Sequence, residues 1–376
     1  MSFDTPYRPL DAQCAPFGVQ VAPFLRRYVA SWRNYKPAWN YEDGCIWKGC
    51  LDLAAATGLR SFSDFVYREM SVRVAADGTI AGYAADEFNI DNVQPGVSLL
   101  ALWQDSGEQR FHRAALTQLA QLERHPRTRS GGYWHKQIYP DQVWLDGLYM
   151  AQPLRAAQAR LSGDAVVAAD VARQFGQVRT WLAEPRSGLL VHGWDESRAE
   201  RWSDPETGRS PNVWGRALGW YAMALVDCIA QLGASFPAEA SRLADGLRAL
   251  VTALDAVRTP DAMWRQLPIL AELPGNYEES SATLMIAYAL MKGARLGLLN
   301  APHGDSGEAA LRACIARYLS NTRLDGICGV AGLGNTPYRD GSVAYYLSEP
   351  IVANDPKGVA ALMMALAEGL LRSKAA

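Results

Sequence analysis

Within the stretch YPDQVWLDGLYM, Tyr139 to Met150, one acid stands where a packing surface should run. Trp144, Leu145, Leu148, Tyr149 and Met150 have the spacing of a buried helical face, and Asp146 shares a turn with Gln142 and Met150. A carboxylate placed there is either a structural partner or a chemical group. A second acid, Asp91 in NIDNVQPG, precedes another apolar run, and two carboxylates that converge can serve as general acid and base. His135 in GGYWHK and His192 in LVHGWDES can bond hydroxyls or a water. Arg216 and Trp220 of NVWGRALGW are one helical turn apart, which sets a fork for a planar carboxylate beside a stacking ring. Trp214 and Tyr41 add flat aromatic surface. Together these residue types suit a pocket for an acidic sugar. Each also has an ordinary explanation: an Asp at a helix start caps it, a buried Trp fills a core, and an Arg pairs with an internal acid.

These groups need a scaffold, and composition limits which one. The chain has 376 residues, 49% of them hydrophobic, enough for a large core. A formal charge of -2 argues against a phosphate-binding surface, so nucleic acid is not an expected partner. The amino terminus lacks a basic segment followed by an apolar one, and no later run approaches a membrane span, so a soluble, cytoplasmic protein is expected. Six cysteines without CxxC spacing read as buried thiols. Five histidines and no HExxH give no reason to expect a metal, and no cofactor is called for. Twelve tryptophans are the outlying count; they either thicken a core or line a carbohydrate site.

Helical period recurs near residues 17–35, 44–57, 61–75, 94–105, 109–124, 141–162, 164–182, 211–233, 237–256, 278–297, 306–319 and 355–372, and alternating strands are few. The runs are of two kinds. WNYEDGCIWKGCLDLAAA, FNIDNVQPGVSLLALW, YPDQVWLDGLYMAQPL, RSPNVWGRALGWYAMAL, GNYEESSATLMIAYAL and ANDPKGVAALMMALAEGL have decorated entries and then small and apolar residues nearly all round. Others, such as EQRFHRAALTQLAQLERH, keep a wet face. Apolar all round means buried and amphipathic means outer, so six inner and six outer helices predict an all-α (α/α)6 barrel over residues 1–376 as a single domain. A generic helical bundle is the alternative. In the barrel the helix entries gather at one mouth, bringing Asp43, Trp47, Gln94, Asn212, Glu279 and Lys357 near the residues above, with Trp194 and Asp195 added from loops.

An ordered set of motifs from about Trp39 to Gly358 carries a family resemblance: Tyr41–Glu42–Asp43–Gly44 with Trp47–Lys48–Gly49, GGYWHKQIYPDQVWLDGLYM, HGWDES, NVWGRALGW, NYEESSA and RDGSVAYYLSEPIVANDPKGV. The chain resembles unsaturated rhamnogalacturonyl hydrolases, glycoside hydrolase family 105. The resemblance implies an (α/α)6 barrel acting on a Δ4,5-unsaturated uronic acid at the non-reducing end of oligosaccharides left by pectin lyases. It makes Asp146 the proton donor and Asp91 its companion, and puts His135, His192, Arg216 and Trp220 in the pocket. Such a donor protonates C4 of an enol ether, water adds at C5, and the hemiketal opens to expel the remaining sugar. A donor must start protonated, and Asp91 nearby is expected to raise the pKa of Asp146 by charge repulsion, against the helix dipole. NYEESSA departs from the family, which more often has an apolar residue where Glu278 stands; an added carboxylate there would oppose an anionic substrate. The polar segment Arg198–Arg209 is either a loop over the mouth or an ordinary solvated loop. A monomer or weak homo-oligomer is expected. Unsaturated glucuronyl hydrolases of glycosaminoglycan fragments, and a sugar-binding barrel without catalysis, are the rival readings.

Overall fold

The computed structural model describes residues 9–375. Its helices are α1 (Leu10–Cys14), α2 (Val21–Ala30), α3 (Tyr41–Thr57), α4 (Arg60–Ser71), α5 (Gly96–Ser106), α6 (Gln109–Arg124), α7 (Gly147–Ser162), α8 (Ala165–Trp181), α9 (Gly215–Leu232), α10 (Pro237–Ala256), α11 (Ser280–Arg295), α12 (Ala301–Tyr318), α13 (Val343–Ser348) and α14 (Pro356–Ala375). Two short antiparallel ladders accompany them: β1 (Gln142–Trp144) with β2 (Gly193–Asp195), and β3 (Ile327–Cys328) with β4 (Ile351–Val352).

Helices α3, α5, α7, α9, α11 and α14 form a closed ring in which each packs on the next and α14 returns to α3. Their near-continuous apolar sequence forces this: every residue of α9 from Gly215 to Ile229 is buried, and so is nearly all of α11. The amphipathic α4, α6, α8, α10 and α12 pack outside their preceding inner helices. The segment holding α2 takes the sixth outer position, with Tyr28 Oη donating to Asn354 O just before α14. The result is the (α/α)6 barrel. No described helix is long and apolar enough to cross a membrane.

Connection length explains where the chemistry collects. Three inner helices turn into their outer partners at once; α3 and α7, for example, end at Gly58 and Gly163, whose positive φ of 76° and 71° only glycine adopts without strain. The returns from outer to inner helix are long, and all lie at the inner helices' N-terminal end. They build the mouth.

One predicted helix is corrected. Residues 141–162 were expected as a single run, but Asp141 has φ of 58° and Gln142–Trp144 pair with Gly193–Asp195, so helix begins only at Gly147. A short apolar segment has no period of its own to separate strand from helix, and here the ladder decides. All six cysteines are buried and free.

Candidate active site

Asp146 occupies the N-cap position of α7 but does not cap it: the residue has helical φ and ψ of −65° and −28°, and its side chain accepts no bond from the first turn. The carboxylate instead faces His192, with Oδ1 3.7 Å from Nε2. The ladder places both residues, because Leu145 N donates to His192 O at 2.9 Å. On its far side His192 Nδ1 meets the Tyr346 hydroxyl at 2.7 Å. Burial keeps that phenol protonated, raising it well above its usual range, so the hydroxyl has a proton to donate to His192 Nδ1. Asp146 Oδ1 is buried without a hydrogen-bond partner. The ordinary explanation for an Asp at a helix start therefore fails for this one.

Asp91 is not a cap either. Asn89 Oδ1 accepts from Asp91 N at 3.1 Å and starts that 3₁₀ turn, leaving the Asp91 carboxylate free to meet Lys136 Nζ at 2.7 Å and His135 Nε2 at 3.5 Å. Burial works against the Lys136 cation, yet the charge and hydrogen bond of Asp91 raise it. His135 stacks on Trp144 at 4.2 Å and 14°, and Gly147 makes room for it: a Cβ added there would stand 3.1 Å from His135 Nδ1.

The expected electrostatics are corrected by this arrangement. Burial pushes the Asp146 carboxyl up, but the neighbouring imidazoles of His135 and His192 outweigh it and bring the group down to about 2. The repulsion expected from Asp91 does not prevail, and Asp91 is itself paired with Lys136 Nζ at 2.7 Å. Burial in turn lowers His135, against the pull of Asp91 and Asp146. The lowering favours the carboxylate form of Asp146.

Arg216 lies on the other side of Trp214. The His192 ring is 4.6 Å from the Trp214 ring, and the Arg216 guanidinium is 4.9 Å from it. Arg216 is 1% exposed, donates to the Cys328 carbonyl, and forms no ion pair among the described residues. No direct ion pair among the described residues ties it to an internal acid, although the charges of Glu279 and Asp355 reach this buried cation. Trp220 stacks on Tyr149 at 4.9 Å and meets Tyr41 edge-on at 6.4 Å.

Several sequence candidates have structural duties instead. Asp43 accepts from Tyr35 N and Asn40, Lys357 pairs with Asp355, Asn212 donates to Gly341 O, and Asp195 caps the turn at Ser197. Glu279 caps α11 and pins Cys328 N at 2.8 Å. Trp194 stacks on Trp181 of α8 at 4.5 Å. Glu278 does not oppose an anion, since Arg317 at 2.5 Å and Thr259 hold its carboxylate. The 198–209 segment is anchored: Trp202 is buried with Tyr139, Trp144 and Leu333, and its N donates to Tyr338 Oη at 2.9 Å. Lys136 and Tyr346 were missed. Lys136 directly follows His135 in GGYWHK, a signal within reach; Tyr346 has no local mark distinguishing it from Tyr345.

Known proteins share this architecture along nearly the whole chain. The model of Glycosyl Hydrolase Family 88 matches residues 24–372. A glycoside hydrolase from family 105 of C. acetobutylicum ATCC 824 has 37% identity and a TM-score of 0.88, covering 92% of this chain and 98% of that one. A protein of Agrobacterium fabrum is 40% identical over 236 residues, 60% of this chain and all of the relative. Unsaturated rhamnogalacturonyl hydrolase YesR of Bacillus subtilis is 25% identical over 267 residues, 69% of this chain and 72% of its own. With a match running from α2 to α14, the chain belongs to the glycoside hydrolases of families 88 and 105.

Proposed function

We propose that this glycoside hydrolase removes a Δ4,5-unsaturated galacturonyl residue from the non-reducing end of oligosaccharides released by rhamnogalacturonan lyases, with Asp146 as proton donor. The observation that carries the reading is Asp146 itself: a buried carboxylate at a helix start that caps nothing, faces two histidines and keeps one oxygen unpartnered. The family relationship and the name of the Bacillus subtilis relative support the substrate class.

The uronate enters with its carboxylate toward Arg216, whose fork binds it and orients the ring. A second anion near Asp146 favours its neutral form, so binding itself loads the donor with a proton. Asp146 gives that proton to C4, and the ring oxygen supplies electrons to the developing cation at C5. Water adds at C5 and its proton returns to the Asp146 carboxylate, now a base beside His192. The C5–ring-oxygen bond of the hemiketal then breaks to a ketone. The hemiacetal left at C1 collapses to an aldehyde and releases the remaining sugar as an alcohol.

Unsaturated uronides absorb in the ultraviolet and lose that band on hydration, so a direct assay is available. Wild type should bleach rhamnogalacturonan-lyase products faster than chondroitin- or heparin-lyase products. Faster turnover of the latter would assign the glucuronyl specificity instead, and no bleaching of any would leave a sugar-binding barrel. Asp146→Asn should lower turnover by about 10² to 10⁴ while still binding substrate, as expected for loss of a general acid.

A further inference from the structure

Trp144 is held on its edge as well as on its face. Its Nε1 donates to Gln142 Oε1 at 3.0 Å, and Gln142 Nε2 donates to Glu200 Oε1 at 3.0 Å. The backbone carbonyl of the same Gln142 accepts from His135 N at 2.8 Å. Glu200 is fixed in turn from two directions: its N donates to Asp195 Oδ2 at 2.9 Å, and its Oε2 accepts from the Tyr338 hydroxyl at 3.3 Å. Gly193 on the partner strand leaves the space the indole lies across, for a Cβ there would stand 3.2 Å from Trp144 Cδ1.

A buried glutamine must satisfy its amide somewhere, and a partner found by chance would explain one bond. It would not explain a chain that starts in the 197–209 segment, passes through Gln142 and ends at the indole face stacked 4.2 Å from His135. His135 Nδ1 is buried without a partner among the described residues and Nε2 meets Asp91 only at 3.5 Å, so hydrogen bonds hold the tilt of the ring weakly. The indole supplies the missing constraint.

We propose that Gln142 and Glu200 are positioning residues for proton transfer: they set the plane of Trp144, Trp144 sets the plane of His135, and His135 sets the charge seen by Asp146. The proposal rests on Asp146 being the donor. It makes the loop beyond Asp195 part of the catalytic geometry although none of its side chains reaches the carboxylate.

Stacking on an indole moves the His135 Cε1–H resonance upfield, and with only five histidines in the chain each signal can be followed. His112, stacked on Trp103 at 4.0 Å far from this chain of bonds, is the internal reference. Glu200→Ala and Gln142→Leu should shift the His135 signal downfield, leave His112 in place, and lower kcat about tenfold with KM changed less than about twofold, the pattern of a misplaced group. Glu200→Gln keeps an acceptor toward Gln142 and should restore both readouts. If Gln142→Leu does not fold, Glu200→Ala, on a half-buried loop, carries the test alone. An unchanged His135 signal and kcat in folded variants would overturn the proposal, and so would a Glu200→Gln variant no better than Glu200→Ala. Turnover by Asp146→Asn would overturn the donor assignment beneath it, a separate result that leaves the His135 resonance of Glu200→Ala as a purely geometric effect.

Discussion

Lys136 Nζ stands 2.7 Å from Asp91 Oδ2, so the second carboxylate of the site arrives already paired with a cation. The pairing separates the two acids: Asp91 is balanced within the protein, and Asp146 is left to respond to whatever enters. Removing the cation should undo that separation. In Lys136→Met the uncompensated charge of Asp91 raises the pKa of both His135 and Asp146. A donor with a higher pKa keeps its proton to higher pH, so the alkaline limb of kcat/KM should move upward. A limb that stays in place or moves down would show that Lys136 does not shield Asp146 from Asp91.

The Asp146 carboxyl is lowered to about 2, which sets the sign of a second expectation. Substrate brings an anion, raising the donor's pKa only in the complex. The alkaline limb of kcat, which reports the complex, should therefore lie above that of kcat/KM, which reports the free enzyme. Coincident limbs would mean that substrate does not load the donor.

Arg216 is buried with a backbone carbonyl as its partner and no carboxylate of the described residues within ion-pair reach. Arg216→Lys keeps the charge and loses the fork, and should weaken both binding and turnover by several fold or more, on the order of 1–2 kcal/mol. Methyl esterification of the uronate should weaken binding to wild type much more than to Arg216→Ala. Equal losses in both proteins would remove Arg216 from carboxylate recognition.

Gly147→Ala should separate stability from activity. At a helix start alanine gains up to about 1 kcal/mol over glycine. The new Cβ, 3.1 Å from His135 Nδ1, forces the imidazole to shift by a few tenths of an ångström. Unchanged or raised Tm with a kcat reduced about tenfold is the expected result, since small misplacements of reacting groups carry large rate penalties. A fully active variant would show that His135 tolerates displacement.

What the sequence revealed follows the physics of each signal. Inner and outer helices were legible because burial on one face or on all faces is written into composition over many residues, as α9 and α6 illustrate. Asp146 was legible because a carboxylate among Trp144, Leu145 and Leu148 violates that pattern. The strand Gln142–Trp144 was not, because three residues carry no period and their partner lies some fifty positions away. The charge state of Asp146 was not legible either. It depends on Lys136, His135 and His192 at distances of a few ångströms, and separation in space is the quantity a sequence lacks.

The ring of inner helices closes only when α14 settles against α3, the first helix of the ring. Tyr41 at the start of α3 meets Trp220 of α9, and Tyr346, just before α14, meets His192, so the candidate site draws on both ends of the ring and a growing chain cannot assemble it piecemeal. Long-range closure of this kind is slow relative to pairing of neighbouring helices. During synthesis, each inner–outer pair can form early, yet the chain remains inert until its last helix has emerged. Bleaching of the substrate during refolding would thus time the closing of the barrel itself.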